Sequence, residues 1–130
     1  MCFIRNCKNP LVAENDIEVY KVFRKVSYFS MPTYHTYYTG PYRSDYIYDD
    51  LNGEYYCDDF GKEVESGWVG FHSFKNYNNA VAFMDSSNKL ASENETFEII
   101  PCIIPKGMKY FEGSFICMDA YVSERIRLNY

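Results

Sequence analysis

The sequence predicts an α+β fold, a single small domain of mainly antiparallel β-sheet with one principal α-helix at about residues 76–86. Three observations predict it. Apolar and polar residues alternate along 17–24 and again along 120–128, the two-residue period of a half-buried strand. Over 77–84 the period lengthens: Tyr77, Ala80, Val81 and Met84 stand at i, i+3, i+4 and i+7, one face of a helix. The other runs are short, rich in tyrosine and threonine, and punctuated by turn signals at Gly40-Pro41, Asn52-Gly53 and Pro105-Lys106-Gly107.

A chain of 130 residues is one domain's worth, long enough to bury a core without a partner. An apolar share of 47% and an aromatic share of 19% exclude a disordered polymer. No apolar run nears the ~18 residues of a membrane-spanning helix, so no membrane partner is expected. Met1-Cys2-Phe3-Ile4-Arg5 is too short and too soon charged to be a secretory signal, which points to a cytoplasmic protein. The net charge of −5 disfavours DNA or RNA duplexes, whose binding depends on clustered cations. A small anion needs only a few. Residues 31–66 carry Arg43 and Lys62 against eight acidic residues, an acid-rimmed surface. Five cysteines form no Cys-x-x-Cys pair, and nothing completes Cys2 and Cys7 into a metal site, so free thiols and no metal or cofactor are expected.

In chain order, residues 1–16 show no sustained period and read as an irregular N-terminal segment. From Ile17 to Arg24, Ile17, Val19, Lys21 and Phe23 share the more apolar face of a strand; Glu18, Tyr20, Val22 and Arg24 share the other. Lys21 is out of place there: its ammonium needs a partner or an exit to water. Residues 28–56 hold nine of the fourteen tyrosines and read as short strands at 33–39, 45–49 and 54–58, with Asn52-Gly53 as a hairpin turn. That density serves either a surface that stacks on a flat ligand or partner, or a small sheet packed with tyrosine. Arg43, beside Tyr42, can grip a phosphate or carboxylate with its planar fork, or pair with Asp45 or Asp49.

Within Gly67–Phe74, which holds the single tryptophan and His72, Val69–Phe74 reads as a short buried strand, and Gly67 and Gly70 permit close approach of a backbone or ligand. Trp68 and Phe71 read as core. The helix follows, capped by Asn76 or Asn78, ended by Asp85–Asn88, and succeeded by a polar loop. Thr96–Ile104 is apolar on both faces and reads as a central strand, with a bulge or unpaired edge at Pro101. After the Pro105–Gly107 turn, Met108–Phe111 should return antiparallel and turn again at Glu112-Gly113. The last strand places Ala120, Val122, Glu124, Ile126 and Leu128 on one face, so Glu124 is a carboxylate among apolar neighbours. Lys21, His72 and Glu124 thus interrupt apolar patterns together. They define either a polar pocket in a β-rich core or a buried Lys21–Glu124 ion pair.

Val19-Tyr20-Lys21, Pro41-Tyr42-Arg43, Gly70–Phe74, Cys102–Gly107, Lys109–Gly113 and Ala120–Glu124, spread over most of the chain after residue 17, resemble a family of small uncharacterised proteins of bacteria and their phages. By analogy with small phage proteins that act against host defence, that resemblance implies a sponge sequestering a nucleotide-derived immune signal. More weakly, Lys21 or Arg24, Ser73, Pro105-Lys106-Gly107 and Glu124 follow the order of an ADP-ribosyltransferase. Val122 stands where such enzymes carry the first acid of their glutamate motif, which implies nucleotide binding without turnover.

The expectation is therefore a small-ligand-binding protein rather than an enzyme. Tyr20, Lys21, Tyr42, Arg43, His72, Ser73, Lys106 and Glu124 are the candidate contacts to an anionic or nucleotide-derived ligand, and the chain is expected to form homo-oligomers. The alternatives are an ADP-ribosyltransferase-like or nucleotide-cleaving enzyme acting through Glu124, His72 and Ser73, and a protein-interaction module using the tyrosine-rich acidic surface.

Overall fold

The computed structural model describes residues 4–5, 9–28, 31–35, 47–64 and 67–130. Thirteen strands and one helix are formed among them. In chain order they are β1 (Ile4–Arg5), β2 (Leu11–Val12), β3 (Ile17–Tyr28), β4 (Met31–His35), β5 (Ile47–Tyr48), β6 (Glu54–Tyr56), β7 (Glu63–Val64), β8 (Gly67–Trp68), β9 (Phe71–Phe74), α1 (Tyr77–Asn88), β10 (Glu95–Ile104), β11 (Lys109–Phe115), β12 (Met118–Ser123) and β13 (Arg125–Leu128). The α+β reading holds. The N-terminal segment is more regular than its sequence implies, since β1 and β2 both pair with β11.

All strand pairs are antiparallel, and the main sheet runs β1-β11-β12-β9-β3-β10-β13-β6. Its spine is the pair β3 and β10, registered from Glu95↔Val26 to Ile104↔Ile17. Pro101 interrupts nothing: it lies opposite Tyr20, and its carbonyl accepts the N–H of Asn129. Backbone N–H and C=O of one strand residue point the same way, so the donor that proline lacks faces the end of β13 and not β3.

The strand order forces the sheet to curl. Only Glu124 separates β12 from β13, so their ends lie within about 7 Å. In the order they are four steps apart, with β9, β3 and β10 between, roughly 19 Å in a flat sheet. Rolling the sheet toward closure satisfies both, and it gives the sheet a concave and a convex face.

Each face has its own core. Val19, Phe23, Phe71, Ile100, Cys102, Ile104, Tyr121, Ile126 and Leu128 meet on the concave side, joined by Tyr48. On the convex side Val22, Phe74, Phe97, Ala120 and Val122 pack with Ala80 of α1 and with Phe83 and Met84. The helix extends two residues beyond its expected end. Asp85–Asn88 form its last turn, where Ser87 Oγ donates to the Phe83 carbonyl at 2.8 Å. The Asn88 side-chain amide then both accepts from Phe97 N and donates to Phe97 O, fastening the helix to β10. Asn76 occupies the N-cap position without a side-chain cap bond.

Three turn readings are corrected. Asn52-Gly53 does turn the chain, with Gly53 N donating to Asp50 O and Asn52 N to the Asp50 carboxylate. No hairpin results, because β5 pairs with β4 while β6 pairs with β13. After Pro105–Gly107, β11 does not return along β10; it pairs with β12, β1 and β2. Glu112-Gly113 lies inside β11, and the turn falls at Ile116 and Cys117, both left-handed at φ 52° and 60°.

Candidate functional site

Lys21 lies on the concave face at 6% exposure, between Val19 and Phe23 along β3 and opposite Ile100 on β10. Its Nζ donates to the His72 carbonyl of β9 at 2.7 Å and sits 5.7 Å from the Phe23 ring centroid. The β3–β9 register aligns Tyr20 with Phe74, which places Ser73 beside Lys21 one residue further along, on the same face. Ser73 is 3% exposed, and its Oγ is buried with no hydrogen-bond partner among the described residues. An unsatisfied buried hydroxyl is costly, so it is the feature of this face that calls for an explanation.

The surroundings are mixed. Tyr121 stands opposite Ser73, and Ser123 opposite Phe71, whose carbonyl accepts from Ser123 Oγ at 3.5 Å. Cys102 is opposite Val19, its thiol pushed up to about 12 by burial and drawn back by the charge of Lys21. Tyr48 meets Phe23 edge-on at 4.8 Å and Tyr55 edge-on at 4.9 Å, and lies tilted against Phe71 at 6.4 Å, forming an aromatic wall. Further along the same face of β3, Lys25 bonds one oxygen of Glu98 at 3.2 Å while the Tyr34 hydroxyl donates to the other at 3.1 Å. Burial, then the bond to Glu98, raises the Tyr34 pKa; the bond to Glu98 raises that of Lys25.

Of the eight residues singled out from sequence, the structure brings together Lys21 and Ser73, with the main chain of His72. The His72 side chain belongs to the other face, where its row is Val122, and its Nδ1 lies 3.2 Å from Gly70 O. Tyr20 is also convex and meets Tyr77 edge-on at 5.3 Å. Lys106 is exposed in the turn beyond β10, its N–H donating to the Asp16 carboxylate. Tyr42 and Arg43 lie outside the described residues.

Glu124 is at the bend between β12 and β13, and its carboxylate accepts the backbone N–H of Lys109 at 3.0 Å. Among the described residues no ion pair joins it to Lys21. The bend also shifts the alternation by one residue. Ala120 and Val122 face the convex core, whereas Ile126 and Leu128 face the concave one. Tyr121 and Ser123 therefore join the Lys21 face, although simple alternation places them opposite Ile126 and Leu128. The signal available for this slip was the apolar content of both phases at 120–122.

Fold and site together define a small α+β domain whose curled antiparallel sheet buries one lysine and one unpartnered serine side by side on its concave face. Compared with protein-family models, curated proteins and solved structures, the chain matches none.

Proposed function

We propose that the chain binds a small anionic, nucleotide-derived ligand on the concave face of its sheet and does not turn it over. The observation that carries this is Ser73: a hydroxyl at 3% exposure without a partner, next to a buried lysine, is a preorganised place for an incoming acceptor. Lys21 supplies the positive charge and Ser73 a second donor, while Phe23, Tyr48 and Phe71 supply rings against which a base or sugar packs. Sequestration of such a ligand is the role of a phage counter-defence sponge, and that is the function assigned here. Glu124, the group an enzyme would need at a ribose, spends its carboxylate on a backbone amide, so binding without reaction is the reading the geometry favours.

The test is to heat-denature purified protein and analyse what is released, then to titrate refolded protein with ADP-ribose derivatives and cyclic oligonucleotides. Recovery of an intact ligand that raises the melting temperature supports the sponge. Recovery of an altered ligand replaces it with an enzyme, and no thermal shift with any of them refutes both.

A further inference from the structure

Lys21 and Ser73 are 6% and 3% exposed, so a ligand reaches them only where the sheet moves aside. The joint between β3 and β9 lies beside them. β3 meets β10 along the whole run 17–26, and β9 meets β12 along Phe71–Phe74. Between β3 and β9, Tyr20 and Phe74 are the only registered pair among the described residues. The Pro101 carbonyl is turned to Asn129, so its partner Tyr20 turns N–H and C=O away from β10 and toward β9, and Val22 turns the same way two residues on. β4 takes over that edge of β3 from Arg24, which leaves Val22 between the two strands. One more rung would set Val22 against His72. It is Lys21 Nζ that reaches the His72 carbonyl, at 2.7 Å, so a side chain ties the joint where the registered ladder stops.

We infer that the β3–β9 joint is the entrance to the concave face and that the Lys21–His72 bond is its latch. The inference rests on the ligand-binding reading above and adds the route the ligand takes. The joint opens on one side. On the convex face Val22 of β3 and Phe74 of β9 both pack with Ala80, so α1 spans the joint and holds it there. On the concave face Tyr48 meets Phe23 of β3 at 4.8 Å and Phe71 of β9 at 6.4 Å, and the longer contact is the one that parts. β9 moves with β12 and β11, to which it is laddered, about the Glu124 bend that links β12 to β13. Lys21 then passes this hydrogen bond from the His72 carbonyl to the ligand's anion, so its Nζ keeps an acceptor in both states.

Amide hydrogen exchange of the full chain, read residue by residue by NMR, tests the entrance. Within β3 the N–H groups of Val19, Lys21 and Phe23 face β10, whereas that of Tyr20 faces the joint. Opening of the joint releases Tyr20 and Phe74 alone, so both should exchange about tenfold or more faster than Val19, Lys21 and Phe23. Lys21→Met keeps the apolar stem and removes the latch, and should raise the ratio of Tyr20 to Val19 by about tenfold again. Added ADP-ribose should slow Tyr20 and Phe74 in the wild type. Uniform protection along β3 overturns the entrance whatever the protein binds, and an unchanged ratio in Lys21→Met overturns the latch. If that variant unfolds, the wild-type ratio decides. Fast exchange at Tyr20 and Phe74 that neither ADP-ribose nor a cyclic dinucleotide alters, with the melting temperature also unmoved, refutes the ligand-binding reading instead, a failure distinct from the first.

Discussion

Glu124 and Lys109 hold each other twice: the Glu124 N–H donates to the Lys109 carbonyl at 3.1 Å, and the Glu124 carboxylate accepts the Lys109 N–H at 3.0 Å. The second bond substitutes a side chain for the ladder acceptor lost where the strand bends. Glu124→Ala is therefore expected to cost about 1.5–3 kcal/mol, the worth of a hydrogen bond to a charged group. Glu124→Gln keeps an acceptor and should cost less than about 1 kcal/mol. Urea midpoints measure both. A glutamine variant as unstable as the alanine one contradicts this role for the carboxylate.

The β11–β12 turn is strained. Ile116 and Cys117 take φ of 52° and 60°, where β-branched residues are rare and each such residue costs about 1–3 kcal/mol. Replacing the pair with Asn-Gly, the residues this two-residue turn favours, should raise stability by about 1 kcal/mol or more. Thermal melting of the double variant checks it; a lower melting temperature contradicts the strain.

Alkali should destabilise the protein through a consistent set of groups. Burial raises the thiol of Cys102 to about 12 and raises the phenols of Tyr34, Tyr55 and Tyr121, while the bond to Glu98 raises Lys25. In each case the folded pKa exceeds the unfolded one, so the protonated form stabilises the fold. That stability is fully present below the unfolded values, about 8.5 for cysteine and about 10 for tyrosine and lysine, and is lost as pH rises through the folded ones. Urea midpoints should hold level from pH 7 to 8 and fall from about pH 9 upward. A midpoint that rises above pH 9 contradicts it. In the native state Cys117, which is exposed, should react with a thiol reagent well before the buried Cys102.

Much of the fold was legible because it was written in local periods. The 17–24 alternation, the 77–84 helix and the continuous apolar run of β10 each reflect a single element with one environment. What misled was a pattern continuing across a change of environment. The residues from Ala120 to Leu128 alternate without a break, yet the bend at Glu124 switches which core they face, and nothing local marks it. The turn at Ile116-Cys117 was hidden for the opposite reason: it uses residues that ordinarily avoid a left-handed backbone, while the glycine next door at 113 lies in the strand. Of the site, Lys21 announced itself as a charge on an apolar face. Ser73 was visible only as part of a motif, and its tie to Lys21 depends on a β3–β9 register that sequence does not encode locally. Glu124 drew notice for the same reason as Lys21 and proved to be a backbone cap.

The central claim is that the Lys21–Ser73 pair receives a ligand. Calorimetric titration of wild type and Ser73→Ala with the tightest nucleotide ligand tests it most directly, because removing an unpartnered hydroxyl should leave the empty fold unharmed. The account predicts an unchanged melting temperature without ligand and an affinity lower by about fivefold or more, ~1 kcal/mol. Equal affinity in the two proteins, with the alanine variant less stable on its own, would contradict it.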